Sequence, residues 1–133
     1  MINIWNHVLE RLLVRLEAEG ETVSYSTEDN PSPASFPHMS LVESDDYTYT
    51  RTMTRTGEQH AAKMFSLSIY SNSGAGRRAE AERIMAIVDD EMQKMGFVRR
   101  AKVPTSNLNN ATIYRIAARY SCVVSKSGMI YRI

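Results

Sequence analysis

Three histidines (His7, His38 and His60), one cysteine (Cys122) and an acidic triplet (Asp89-Asp90-Glu91) are the residues of this chain best suited to catalysis or metal binding. A metal site needs His, Cys or carboxylate ligands at short, fixed spacings so that several donors converge on one ion. The three histidines fall in a helical stretch, at a strand start and at an expected hairpin tip, and none has such neighbours. Successive helical positions point in different directions, so the triplet cannot close on one ion and reads as a solvated helix face. Gly74-Ala75-Gly76 precedes a helix, whose free N–H groups suit a phosphate, but it lacks the Lys-Ser/Thr ending of a phosphate loop and the longer glycine spacing of a dinucleotide site. It reads as a strand-to-helix turn. Cys122 lies on the apolar side of a strand pattern with no histidine near it in sequence, the setting of a buried thiol. Ser71-Asn72-Ser73 lacks the G-x-S-x-G context that exposes a nucleophilic serine. One enzymatic reading remains, a site assembled from the distant residues His38, His60 and Asp46, and no pair of these sits in a recognisable setting. The expectation is a protein with no catalytic residue, no cofactor and no metal.

Charge is more informative. The formal net charge is +1, yet no Asp or Glu follows Glu91, while Lys94, Arg99, Arg100, Lys102, Arg115, Arg119, Lys126 and Arg132 do. Residues 1–91 therefore carry −7 and the remainder +8. The single cysteine excludes an internal disulfide and fits a reducing compartment. The first sixteen residues have neither the apolar core of a signal peptide nor the length of a membrane helix. With 133 residues, 43% hydrophobic and 23% charged, the chain is expected to fold as one soluble domain, residues 1–133.

The elements that position these residues can be read from periodicity. Ile4, Trp5, Val8, Leu9, Leu12, Leu13 and Leu16 recur at helical spacing and Gly20 ends the helix. Thr22 to Ser26 is a short strand leading to a loop marked by Pro31 and Pro33. From His38 to Thr56 the period is two, and Tyr47, Tyr49, Arg51, Met53 and Arg55 alternate with threonines. Neither face of that second half is apolar enough for a core, so a hairpin arm is expected over about 46–61, with Gly57-Glu58-Gln59 as its turn. The return strand, Ala61 to Ser71, sets Phe65, Leu67 and Ile69 against Ser66, Ser68 and Tyr70, one core face and one not. A second helix carries the stripe Ala81, Ile84, Met85, Val88, Met92 and Met95 and stops at Gly96. Phe97 to Val103 is a strand closed by Pro104, and residues 105–110 form a polar turn. In the longest strand, Thr112, Tyr114, Ile116, Ala118, Tyr120, Cys122 and Val124 form the apolar face, and Met129 to Arg132 returns along it. The order α-β-β-β-α-β-β-β predicts an α+β fold: a two-layer sandwich of a mostly antiparallel sheet with both helices on one face and a projecting β-hairpin.

Two uses of the remaining surface compete. In one, the acidic early part of one subunit meets the basic late part of the next in a head-to-tail contact that closes into a ring. In the other, the basic strands with Tyr114, Tyr120 and Tyr131 bind nucleic acid, although those tyrosines share the apolar face. The plainest alternative is a sheet with scattered solvated arginines.

The run Phe97-Val98-Arg99-Arg100, then Val103-Pro104, Asn107, Asn110, Thr112-Ile113-Tyr114-Arg115-Ile116, Arg119-Tyr120 and Gly128-Met129-Ile130-Tyr131-Arg132 resembles the closing strands of tail terminator (tail completion) proteins of long-tailed bacteriophages. The element order of the whole chain is similar too, and neck and minor capsid families share part of the pattern. The resemblance implies a structural protein assembled in the host cytoplasm and located at the head-proximal end of the virion tail. It implies a homo-hexameric ring that caps the tail tube, ends its polymerisation and joins the tail to the head-tail connector or head completion protein. DNA would pass through the channel without specific binding, and no membrane is involved. In such rings the hairpin is often mobile in the free subunit and ordered on assembly. The regular threonine alternation of this hairpin departs from the family pattern. The residues expected at a subunit or tube interface are Tyr47, Tyr49, Arg51, Arg55, Arg99, Arg100, Arg115 and Arg119.

Overall fold

The computed structural model describes residues 2–28, 33, 35–48, 60–72, 74–105 and 113–131, with no side-chain description for 47, 48 and 103–105. The elements are α1 (Trp5–Ala18), β1 (Ser24–Ser26), β2 (His38–Thr48), β3 (His60–Ser71), α2 (Arg77–Met95), β4 (Val98–Thr105), β5 (Tyr114–Ser125) and β6 (Ile130–Tyr131). This is an α+β protein, with the order of helices and strands that the periodicities predict.

The strands form one six-stranded sheet in the order β1-β2-β3-β5-β4, and β6 pairs with β5. All pairings are antiparallel except that of β1, which runs parallel to β2 with Ser24 opposite His38. On β3 and β5 the odd-even pairing Phe65↔Tyr120, Leu67↔Ala118 and Ile69↔Ile116 stacks the apolar positions on one face. α2 lies against β3, β5 and β4, and α1 packs beside α2. The stripes Val8, Leu12, Leu16 and Ile84, Met85, Val88, Met92 are fully or almost fully buried in the same cluster as Leu67, Ile69 and Ile116. Each such aliphatic side chain contributes about 1.5–3 kcal/mol by leaving water. Phe65 and Phe97 meet edge to face, with ring centres 5.5 Å apart.

Gly96 closes α2 in the left-handed region, φ +108°, where a side chain is strained, and an added Cβ would stand 3.1 Å from Cγ2 and from the carbonyl oxygen of Ile130. That close approach seats β6 against the end of α2.

Three expectations change. β4 does not stop before Pro104 but runs through it to Thr105, with Pro104 opposite Ile116, a place a proline can take in an edge strand. The face of β3 opposite the helices is not open: Tyr70 and Ser68 are buried there, because the Arg115 guanidinium lies 5.3 Å from the Tyr70 ring centre and donates to Ser68 Oγ at 3.1 and 3.3 Å. The acidic triplet is a solvated face only at Asp90, which is exposed, whereas Asp89 is half-buried and Glu91 is buried. Asp90 bonds Arg15 at 2.8 Å, Glu91 bonds Arg11 at 3.3 Å, and Asp89 accepts from Tyr120 Oη at 2.7 Å while pairing with Arg99 at 3.1 Å. Burial and the bond to Asp89 together push the Tyr120 hydroxyl far above its ordinary pKa.

Candidate functional site

The expected arm occupies about 46–61, and its residues 49–59, with Tyr49, Arg51, Arg55 and the Gly57-Glu58-Gln59 turn, lie outside the described residues. Its root is described. β2 and β3 remain paired to the end, with Asp46 opposite Lys63, Tyr47 opposite Ala62 and Thr48 opposite Ala61. The register shifts between Glu43 and Asp45, a bulge around Ser44 whose hydroxyl donates to the Met64 carbonyl at 3.2 Å. Three residues apart, Glu43 and Asp46 would face opposite sides of a regular strand. The extra residue turns both to the same side.

There they meet Lys63, whose side chain is only 1% exposed. Its ammonium donates to Glu43 Oε1 at 2.8 Å, to Asp46 Oδ2 at 2.9 Å and to the backbone carbonyl of Ile2, so each of its three protons has an acceptor. Burial alone would lower the pKa of this lysine, but the bonds to the two carboxylates outweigh it and raise the pKa above its ordinary value. Lys63 lies opposite Cys122 in the next strand. Cys122 is fully buried, and burial pushes its thiol up to about 12, only partly opposed by the Lys63 charge. The thiol is therefore no nucleophile at neutral pH. Sequence reasoning missed Lys63. The only signal was a lysine at a core position of the alternation Ala61, Lys63, Phe65, Leu67.

At the other end of β2, His38 is 5% exposed. Ser26 Oγ gives its one proton to the Glu28 carbonyl at 2.6 Å, so it accepts from His38 Nε2 at 3.0 Å, and Ser24 Oγ, which also reaches the Ser35 and Pro37 carbonyls at 3.3 Å, lies 2.7 Å from Nδ1. Burial lowers the pKa of the ring, which favours its neutral form. A serine at hydrogen-bond distance from a histidine is part of an acyl-transfer site, but the far nitrogen is held by a hydroxyl and not by an orienting carboxylate. The trio His38, His60 and Asp46 is not brought together, since His38 and Asp46 are separated along one strand by about 26 Å at roughly 3.3 Å per residue. Among the described residues no three His, Cys, Asp or Glu side chains converge as metal ligands, and no helix is long and apolar enough to cross a membrane.

The predicted basic patch comes apart in the fold. β4 carries its own register shift between Arg99 and Ala101. Arg99 and Lys102 turn to the helix side, where Arg99 pairs with Asp89 and Lys102 with Glu82 at 3.0 Å, whereas Arg100 turns to the opposite face and donates from Nε to Ser121 Oγ at 2.7 Å. Arg115 is stacked on Tyr70, and Arg119 is exposed. Tyr120 is buried as expected, but Tyr131 is 45% exposed. Part of the late positive charge is thus balanced by acids of α2 inside the subunit. An open groove of about 450 Å³ also runs along α1 past Val14 to Glu91, and the ion pairs of Arg11 and Arg15 border it.

No protein-family model and no curated protein matches this chain.

Proposed function

We propose that this protein is a structural assembly subunit of the phage tail terminator type. It forms a ring that caps the tail tube, ends its polymerisation and joins the tail to the connector of the head. The observation that carries the reading is the fastened arm root. A hairpin that works against a neighbouring subunit or tube needs a rigid base, and here the base holds a buried ammonium bonded to both carboxylates of the outgoing strand and to the N-terminal segment. The order of helices and strands among the described residues is the one the periodicities predict, and the resemblance rests in part on that order. Light scattering at rising concentration, followed by mixing with purified tail tubes and electron microscopy, tests it. Rings seated on tube ends support the reading, and a monomer that leaves tubes unchanged overturns it.

A second reading, nucleic-acid binding, rests on Arg100 and Arg119, both exposed and on the sheet face away from the helices. Phosphate contacts are strongest at low salt, so a salt series with duplex and single-stranded DNA decides it. Absence of binding at low salt ends that reading.

A further inference from the structure

β1 covers β2 only at His38, Met39 and Ser40, and the Leu41 carbonyl accepts from Trp5 Nε1 at 2.8 Å. Beyond that point, residues 42–48 of β2 have no strand on their outer side among the described residues, and Ser44, Asp45 and Asp46 are exposed. At the opposite edge β4 pairs only with β5 among the described residues, and Arg99, Arg100, Ala101 and Lys102 are exposed. The two edges have comparable length and opposite charge. Glu43, Asp45 and Asp46 with Lys63 leave −2 at the first. Arg99, Arg100 and Lys102, with exposed Arg119 on the adjoining strand, make the second basic, Asp89 and Glu82 of α2 pairing with Arg99 and Lys102 from the helix side.

We infer that the β4 edge of one subunit pairs with the β2 edge of a second copy, so that the sheets join into one continuous sheet around the ring. This rests on the ring reading above and names its joint. Charge selects the partner. A β2 edge facing another β2 edge sets acid against acid, and β4 facing β4 sets base against base, so only the head-to-tail contact is favourable. A head-to-tail contact is also the kind that closes into rings. Direction agrees as well. Rotation about a ring axis preserves strand direction, and because β2, β3, β5 and β4 alternate, β4 of one copy meets β2 of the next antiparallel. Each edge carries one bulge, at Ser44 and at Arg100, which bends it away from flat, indiscriminate pairing. Main-chain hydrogen bonds supply the attraction, and the charges set the register.

Charge reversal tests the joint. Asp45→Lys and Arg100→Glu are made singly and together, their folding is checked by circular dichroism, and mass is followed by light scattering over concentration at low salt. Each single variant is expected to need at least about tenfold more protein to assemble, as expected when like charges face one another, and the double variant is expected to recover toward the parent. If the parent assembles and both single variants match it, or the double variant recovers nothing, the edge pairing is overturned while the ring reading stands. A parent that remains monomeric at every concentration overturns both.

Discussion

Replacing Lys63 by methionine keeps most of the aliphatic stem and removes the ammonium that Glu43, Asp46 and the Ile2 carbonyl share. Deleting one partner of a buried ion pair generally costs about 3–5 kcal/mol, because the charge left behind is uncompensated. Here the side chains of Glu43 and Asp46 retain 25% and 32% exposure, so water reaches them and the expected loss falls to about 2–3 kcal/mol. For a chain of this size that is a fall in melting temperature of roughly 6–15 °C. Thermal and urea unfolding followed by circular dichroism measure it. A triple variant with Glu43→Gln and Asp46→Asn should regain more than half of the loss, since it removes the stranded charges. The pH dependence has a definite sign. The folded pKa of Lys63 lies above its ordinary 10.5, so its contribution is complete below 10.5 and is lost as pH rises through the raised value. The parent should therefore lose stability in strong alkali by more than Lys63→Met does. A Lys63→Met protein that melts within about 2 °C of the parent, with the same alkaline profile, would refute the account of the arm root.

His38 behaves in the opposite sense: burial lowers its pKa below 6.5, so its contribution is complete above 6.5 and disappears as pH falls through the lowered value, and melts between about pH 7 and pH 5 should show a smaller loss for His38→Gln than for the parent. Gly96→Ala should cost about 1–3 kcal/mol in urea unfolding, because alanine is strained at φ +108° and its methyl meets Ile130. Cys122, its thiol pushed up to about 12, should not react with a disulfide reagent near neutral pH in the native protein and should react fully in denaturant.

The sequence by itself determined the α+β class, both helices and the apolar face of β5. These are local regularities: apolar side chains at three- and four-residue or two-residue spacing must share a face, whatever else the chain does. It also placed Cys122 in the core, since that residue shares its face with Ile116, Ala118 and Tyr120. Tertiary structure alone decided the rest. Bulges are invisible to periodicity, and the one around Ser44 gathers Glu43 and Asp46 on Lys63, while the one at Arg100 divides Arg99 and Lys102 from Arg100. The charge split along the chain suggested two opposed halves. Folding lays the acids of α2 against the bases of β4, so part of that contrast is balanced within the subunit, while exposed acids of β2 and exposed bases of β4 stand at opposite sheet edges. Ion pairs form between residues adjacent in space, and sequence order places Lys102 twenty residues from Glu82 without saying that they touch.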